Sequence, residues 1–149
     1  MDILNTVIAD NTVLQWLIAA GLALLVLGAL VAAKAFLVRQ LERLADRTAN
    51  DLDDLLAAVV RRTRFFFILA LALLAGAQVV ELAGNVRDLV RAAVVLATLL
   101  QIGFWGNAGI EVGLGRYTTR RMEEDAAEAT TVRFVGFLLR LALWVLVAL

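Results

Sequence analysis

Asp51, Asp53 and Asp54 place three carboxylates within four residues, and Glu124 and Glu128 lie one helical turn apart. Groups of this kind can hold a hard cation through their oxygens. Acids also collect at helix starts, where unpaired backbone N–H groups attract negative charge, and Asn50 directly before the trio is a good N-cap. A helix start is therefore the expectation for the trio, and a solvated helix face for the glutamates. Gly113-Leu114-Gly115 looks like the opening of a dinucleotide loop, but the third glycine and the preceding soluble strand are missing. No His, Cys, Pro or Ser occurs anywhere in the 149 residues. That removes the imidazole base, the thiolate and serine nucleophiles, disulfides, and Cys/His zinc or haem sites. No carboxylates are paired inside an apolar run, so no enzyme activity, catalytic residue, cofactor or metal is expected.

The basic residues are more informative. Fourteen Lys and Arg, thirteen of them Arg, balance fourteen Asp and Glu, so no basic excess points to nucleic acid. Their positions matter instead. Arg61, Arg62 and Arg64 stand immediately before Phe65-Phe66-Phe67, an aromatic and basic band suited to gripping lipid at a membrane–water interface or simply to anchoring there. Arg116, Arg120 and Arg121 form a second cluster with the same two readings. Arg140 lies seven residues after Arg133 in an otherwise apolar run, about 10 Å along it at the helical rise. An ionisable group there is a functional candidate by default, yet it is close enough to the end of the run to snorkel outward. The candidate lipid or tension contacts are thus Arg61, Arg62, Arg64, Phe65, Phe66, Arg116, Arg120, Arg121 and Arg140.

These residues must be positioned by membrane helices. The chain is 62% hydrophobic with a mean hydropathy of +0.87, far from soluble averages. Runs long enough for a bilayer core of about 30 Å predict an all-α integral membrane protein with four spans, at about 13–33, 65–83, 92–110 and 134–149. Asp10 or Asn11 is the expected cap of the first. A signal peptide is the competing reading for that run, but it is too long, and Asp2 and Asp10 precede it without any Lys or Arg. Thr98, Gln101 and Asn107 in the third run are expected to face other helices rather than lipid, and Trp105 and Trp144 to serve helix packing. The fourth run is still apolar at Leu149, which leads to the expectation that the sequence is a piece of a longer protein.

The segment 34–64 holds seven basic residues and 111–133 four, whereas 81–91 holds two and the N-terminal tail none. Basic residues are retained on the cytoplasmic side, which puts the N-terminus outside and both larger connections in the cytoplasm. The first connection reads as helical. Leu37, Leu41 and Leu44 form one stripe, and Leu52, Leu55, Leu56, Val59 and Val60 another, with a break at Thr48-Ala49-Asn50-Asp51. A cytoplasmic helical hairpin over 34–64 follows. The preference for Arg over Lys, with abundant Ala, Leu and Val, fits a GC-rich bacterial genome, and hence a bacterial inner membrane with a periplasmic or extracellular N-terminus.

Two stretches resemble the membrane-sensor region of MscS-like small-conductance mechanosensitive channels. The turn Ala45-Asp46-Arg47-Thr48-Ala49-Asn50-Asp51-Leu52-Asp53-Asp54-Leu55-Leu56 looks like the Thr and Asp-Asp-Leu-Leu pattern where extra sensor helices precede the core. Thr131-Val132-Arg133-Phe134-Val135-Gly136-Phe137-Leu138-Leu139-Arg140-Leu141-Ala142-Leu143-Trp144-Val145-Leu146-Val147 looks like the last peripheral helix before the pore. The resemblance implies a homo-heptameric, tension-gated channel that releases ions and small solutes under hypoosmotic stress, with membrane lipids as partners. It also implies that the pore helix and the cytoplasmic domain are absent from these residues. The alternative is a self-contained four-helix accessory or scaffold protein that assembles through Gly28 with Ala32, or Gly109 with Gly113, at small-xxx-small spacing.

Overall fold

A computed structural model describes residues 3–45, 51–121 and 126–149, with side chains described for 4–43, 55–115 and 131–149. The described chain is helical apart from a short N-terminal hairpin. Its elements are a 3-10 turn at Ile3–Asn5, strands β1 (Val7–Ile8) and β2 (Asn11–Thr12), and helices α1 (Val13–Ala45), α2 (Asp51–Arg61), α3 (Phe65–Ala77), α4 (Gly84–Arg121) and α5 (Ala126–Ala148). They form two compact units: residues 1–35 with 64–98, and residues 36–63 with 99–149.

In the first unit β1 and β2 pair antiparallel, Val7 opposite Thr12 and Ile8 opposite Asn11. The two turn residues, Ala9 at φ 50° and Asp10 at φ 63°, both occupy the left-handed region, as a two-residue hairpin with right-handed strand twist requires. Neither is glycine, so the turn is strained. Asn11 Nδ2 braces it by donating to the Ala9 carbonyl at 2.8 Å. The N-cap of α1 is Thr12 rather than Asp10 or Asn11. The Gln15 backbone N–H donates to Thr12 Oγ1 at 3.2 Å and the Thr12 N–H donates to Gln15 Oε1 at 2.7 Å. This reciprocal pair is a capping box with Gln in the third position. Trp16 Nε1 donates to the Ile8 carbonyl at 3.1 Å and ties the hairpin to the first turn of the helix.

The buried stripe of α3 is Ile68, Ala72 and Gly76, each four residues from the next. Gly76 permits close contact with α1: a Cβ there would lie 2.7 Å from the Ala19 carbonyl oxygen and 3.0 Å from Ala23 Cβ. The helix stops one residue later. Gln78 and Val79 turn back their N–H groups onto Ala75 and Gly76, and the chain runs without helix to Gly84. Asn11 grips this segment. The Glu81 N–H donates to Asn11 Oδ1 at 2.7 Å, and Asn11 Nδ2 donates to the Glu81 carbonyl at 2.9 Å. With Gly76 beside Ala19 and Glu81 beside Asn11, α3 runs antiparallel to the first part of α1.

In the second unit α5 packs antiparallel on the C-terminal part of α4. Added Cβ atoms at Gly103, Gly106 and Gly136 would meet Trp144 at 3.1 Å, Leu143 at 2.8 Å and Leu114 at 2.7 Å. Phe104 and Trp144 add an edge-to-face contact at 5.8 Å between ring centroids, a favoured aromatic geometry. The face of α2 approaches α4 where Leu55 Cδ1 lies 3.8 Å from the Cβ position of Gly109.

Among the described residues, three helices are long and apolar enough to cross a membrane, over Val13–Arg43, Gly84–Gly115 and Thr131–Ala148. The run expected at 65–83 is helical only over Phe65–Ala77, 13 residues or about 20 Å. Gly84-Asn85, in the gap between the second and third expected spans, opens α4. That helix also continues through Gly113 and Gly115, so these glycines lie in a helix and not in a loop. Of the connection expected at 111–133, residues 111–121 belong to α4 and 126–133 to α5, and 122–125 lie outside the described residues.

Candidate functional site

The turn after α2 is held by a row of polar residues on α4. Helices end with carbonyls that have no partner within the helix. Gln101 meets that need at Arg62: its Nε2 donates to the Arg62 carbonyl at 3.2 Å, and the side chain is fully buried. One turn further along α4, Trp105 Nε1 donates to Thr63 Oγ1 at 3.2 Å, and Thr63 Oγ1 in turn lies 3.5 Å from the Val59 carbonyl. The Arg62 guanidinium donates to the Glu111 carboxylate. Gln101, Trp105 and Glu111 thus clamp two consecutive residues of the turn by backbone, hydroxyl and charge. Gln101, expected to face another helix, meets the turn after α2, and of the tryptophans expected to serve packing Trp105 bonds to that turn while Trp144 packs on Phe104. Thr98 bonds within its own helix, to the Val94 carbonyl at 2.8 Å.

Arg61 and Arg62, both candidate lipid contacts, form ion pairs inside the chain. Arg61 pairs with Glu42 of α1 at 2.8 Å, and Arg62 pairs with Glu111. The Arg61 pair is solvent-exposed on both sides, 63% and 48%, and such pairs contribute little. Arg61→Gln is expected to lower stability by less than about 1 kcal/mol in detergent unfolding curves.

Arg64 is the N-cap of α3 with extended backbone and makes no side-chain cap bond. Phe65 and Phe66, which follow it, are 60% and 40% exposed, as an interfacial aromatic pair would be. Arg140 is exposed on α5 and has no ion pair with any described residue. The side chains of Arg116, Arg120 and Arg121 lie outside the described residues, as do those of Asp51, Asp53 and Asp54, although α2 does begin at Asp51. Residues 123–125 and the cap expected at Asn50 lie outside them too, as does the Glu128 side chain.

Sequence reasoning missed Asn11, Glu111 and Thr63 as organising residues, and placed the small-residue contacts elsewhere. Gly28 and Gly113 have nothing within 4 Å of a Cβ position. The glycines at close contacts are Gly76, Gly103, Gly106 and Gly136, and Gly109 makes an ordinary contact with Leu55. Only the Thr12-x-x-Gln15 spacing carried a readable signal, that of a capping box.

Fold and clamp together define an all-helical chain with apolar helices of membrane-spanning length and a polar turn locked to one of them. No protein-family model matches the chain, and comparison with curated proteins and with solved structures gives no match.

Proposed function

We propose that this chain forms the tension-sensing helices of a mechanosensitive, MscS-like channel of a bacterial inner membrane, which releases ions and small solutes on hypoosmotic stress. One observation carries the reading: the apolar windows of α1 and α5 are each only 6% buried and that of α4 17%. Leu24 and Leu25 of α1 and Leu146 of α5 are 68–74% exposed. Helices packed this sparsely meet lipid over most of their surface, and lateral tension acts through that contact area by favouring the state that occupies more membrane.

In this reading the N-terminus is outside and the chain crosses four times. The third helix is about 20 Å long, and the crossing is completed by the non-helical residues 78–83 that follow it. Asn11 satisfies both backbone groups of Glu81 at that unwound stretch, a requirement wherever chain leaves helix at membrane depth. Arg64, Phe65, Phe66 and Arg140 are the lipid-facing contacts, with Arg61, Arg62, Arg116, Arg120 and Arg121 at the cytoplasmic interface. Assembly is as a homo-heptamer, following the family resemblance. The accessory-protein reading is favoured by one feature, the open small-residue face at Gly28 and Ala32, where a partner helix can approach closely.

Patch recording of the intact protein under suction tests the proposal. Stepwise conductance before membrane rupture is expected; silence up to rupture, with the protein present in the patch, overturns it. A reporter fused near Asn85 is expected to be extracytoplasmic.

A further inference from the structure

We infer that the first unit carries a binding site for an anionic phospholipid, in the cleft between the end of α3 and the start of α4. This cleft has a volume of about 560 Å³ and is walled by Leu74, Ala77, Val90, Val94 and Val95, with Arg87 and Arg91 also lining it. Its size falls within the range of small-molecule sites. Arg87 and Arg91 lie four residues apart, so both guanidiniums stand on one face of α4. Both are exposed, and neither has an ion pair with a described residue. The acids closest in sequence, Glu81 and Asp88, do not line the cleft.

The chemistry of an occupant follows from that lining. Two guanidiniums without an ion pair among the described residues favour a doubly accepting anion such as a phosphodiester, to which Arg presents a fork of donors. The apolar lining by Leu74, Ala77, Val90, Val94 and Val95 favours a hydrocarbon chain. A molecule with both parts, in a chain whose apolar helices meet lipid, is a membrane phospholipid with a negatively charged headgroup. Its headgroup sits at Arg87 and Arg91, and one acyl chain lies against Val90, Val94 and Leu74. The site needs only that α4 lies in a bilayer. It does not depend on channel activity, so its failure and the failure of the gating proposal are separable.

Native mass spectrometry of the full chain, released from detergent and titrated with phosphatidylglycerol or phosphatidylcholine, tests the site. Phosphatidylglycerol is expected to bind preferentially. The double variant Arg87→Gln/Arg91→Gln is expected to weaken it roughly tenfold or more, given the attraction of each basic side chain to an anionic headgroup. Arg87→Lys/Arg91→Lys is expected to retain most of the binding. Val95→Trp, on a wall that is 53% exposed and so tolerant of a larger side chain, is expected to block the cleft and reduce binding while leaving helix content by circular dichroism unchanged. Equal binding of the two lipids, or undiminished binding in the Gln double variant, overturns the proposal. Displacement of the lipid by millimolar glycerol phosphate also overturns it, since the anion alone would then account for the affinity.

Discussion

Replacing Asn11 with alanine is expected to lower the unfolding free energy by about 2–3 kcal/mol, read from denaturant titration in detergent micelles. The side chain is 1% exposed and makes three hydrogen bonds to backbone: it donates to the carbonyls of Ala9 and Glu81 and accepts from the Glu81 N–H. Truncation leaves those groups without partners, and an unmade bond at a buried polar group costs more than a made one contributes. Asn11→Asp distinguishes this account from simple loss of volume. It keeps the acceptor for Glu81 N–H, but sets a carboxylate against two carbonyl oxygens that need a donor. It should therefore be at least as damaging as alanine, and wild-type stability in Asn11→Asp would refute the donor role.

Gly76→Val is expected to be of similar size, about 2–3 kcal/mol by the cost of overpacking a close helix contact. The obstacle is backbone, the Ala19 carbonyl at 2.7 Å from the new Cβ position, so α1 and α3 must separate for any side chain to fit. Gly28→Val is the matched control on the same helix system. Nothing lies within 4 Å of a Cβ at Gly28, and a surface change of that kind is expected to stay within about 0.5 kcal/mol. Equal effects at the two sites would show that helix propensity, not contact, governs both.

The contrast between those glycines shows what was legible in the sequence. Composition and run length located the apolar helices, because bilayer thickness dictates length. The leucine stripes located the helical continuation to Ala45 and the separate helix at Asp51–Arg61. Gln101 was readable as inward-facing because an amide in an apolar run needs a partner. Which glycine makes a contact was not readable, since Gly28 and Gly76 sit in equally apolar surroundings and only the partner helix separates them. The end of α3 was hidden for the same reason: nothing in Gln78-Val79-Val80 forbids helix locally, and the segment is held by Asn11, 70 residues away. The hairpin was hidden because Ala9-Asp10 lacks the glycine that normally announces left-handed turn residues. Of the candidate contacts, Arg61 and Arg62 pair with Glu42 and Glu111, carboxylates that come from distant helices and left no local pattern.

The three tryptophans described above give the chain its own set of optical reporters. Trp16 donates to a carbonyl of the hairpin, Trp105 to the hydroxyl of Thr63, and Trp144 meets the ring of Phe104. Each indole therefore samples one joint: the capped start of α1, the clamped turn after α2, or the α4–α5 seam. Variants retaining one tryptophan at a time convert emission wavelength and quenching into separate readings of those joints, in a protein that needs no attached dye.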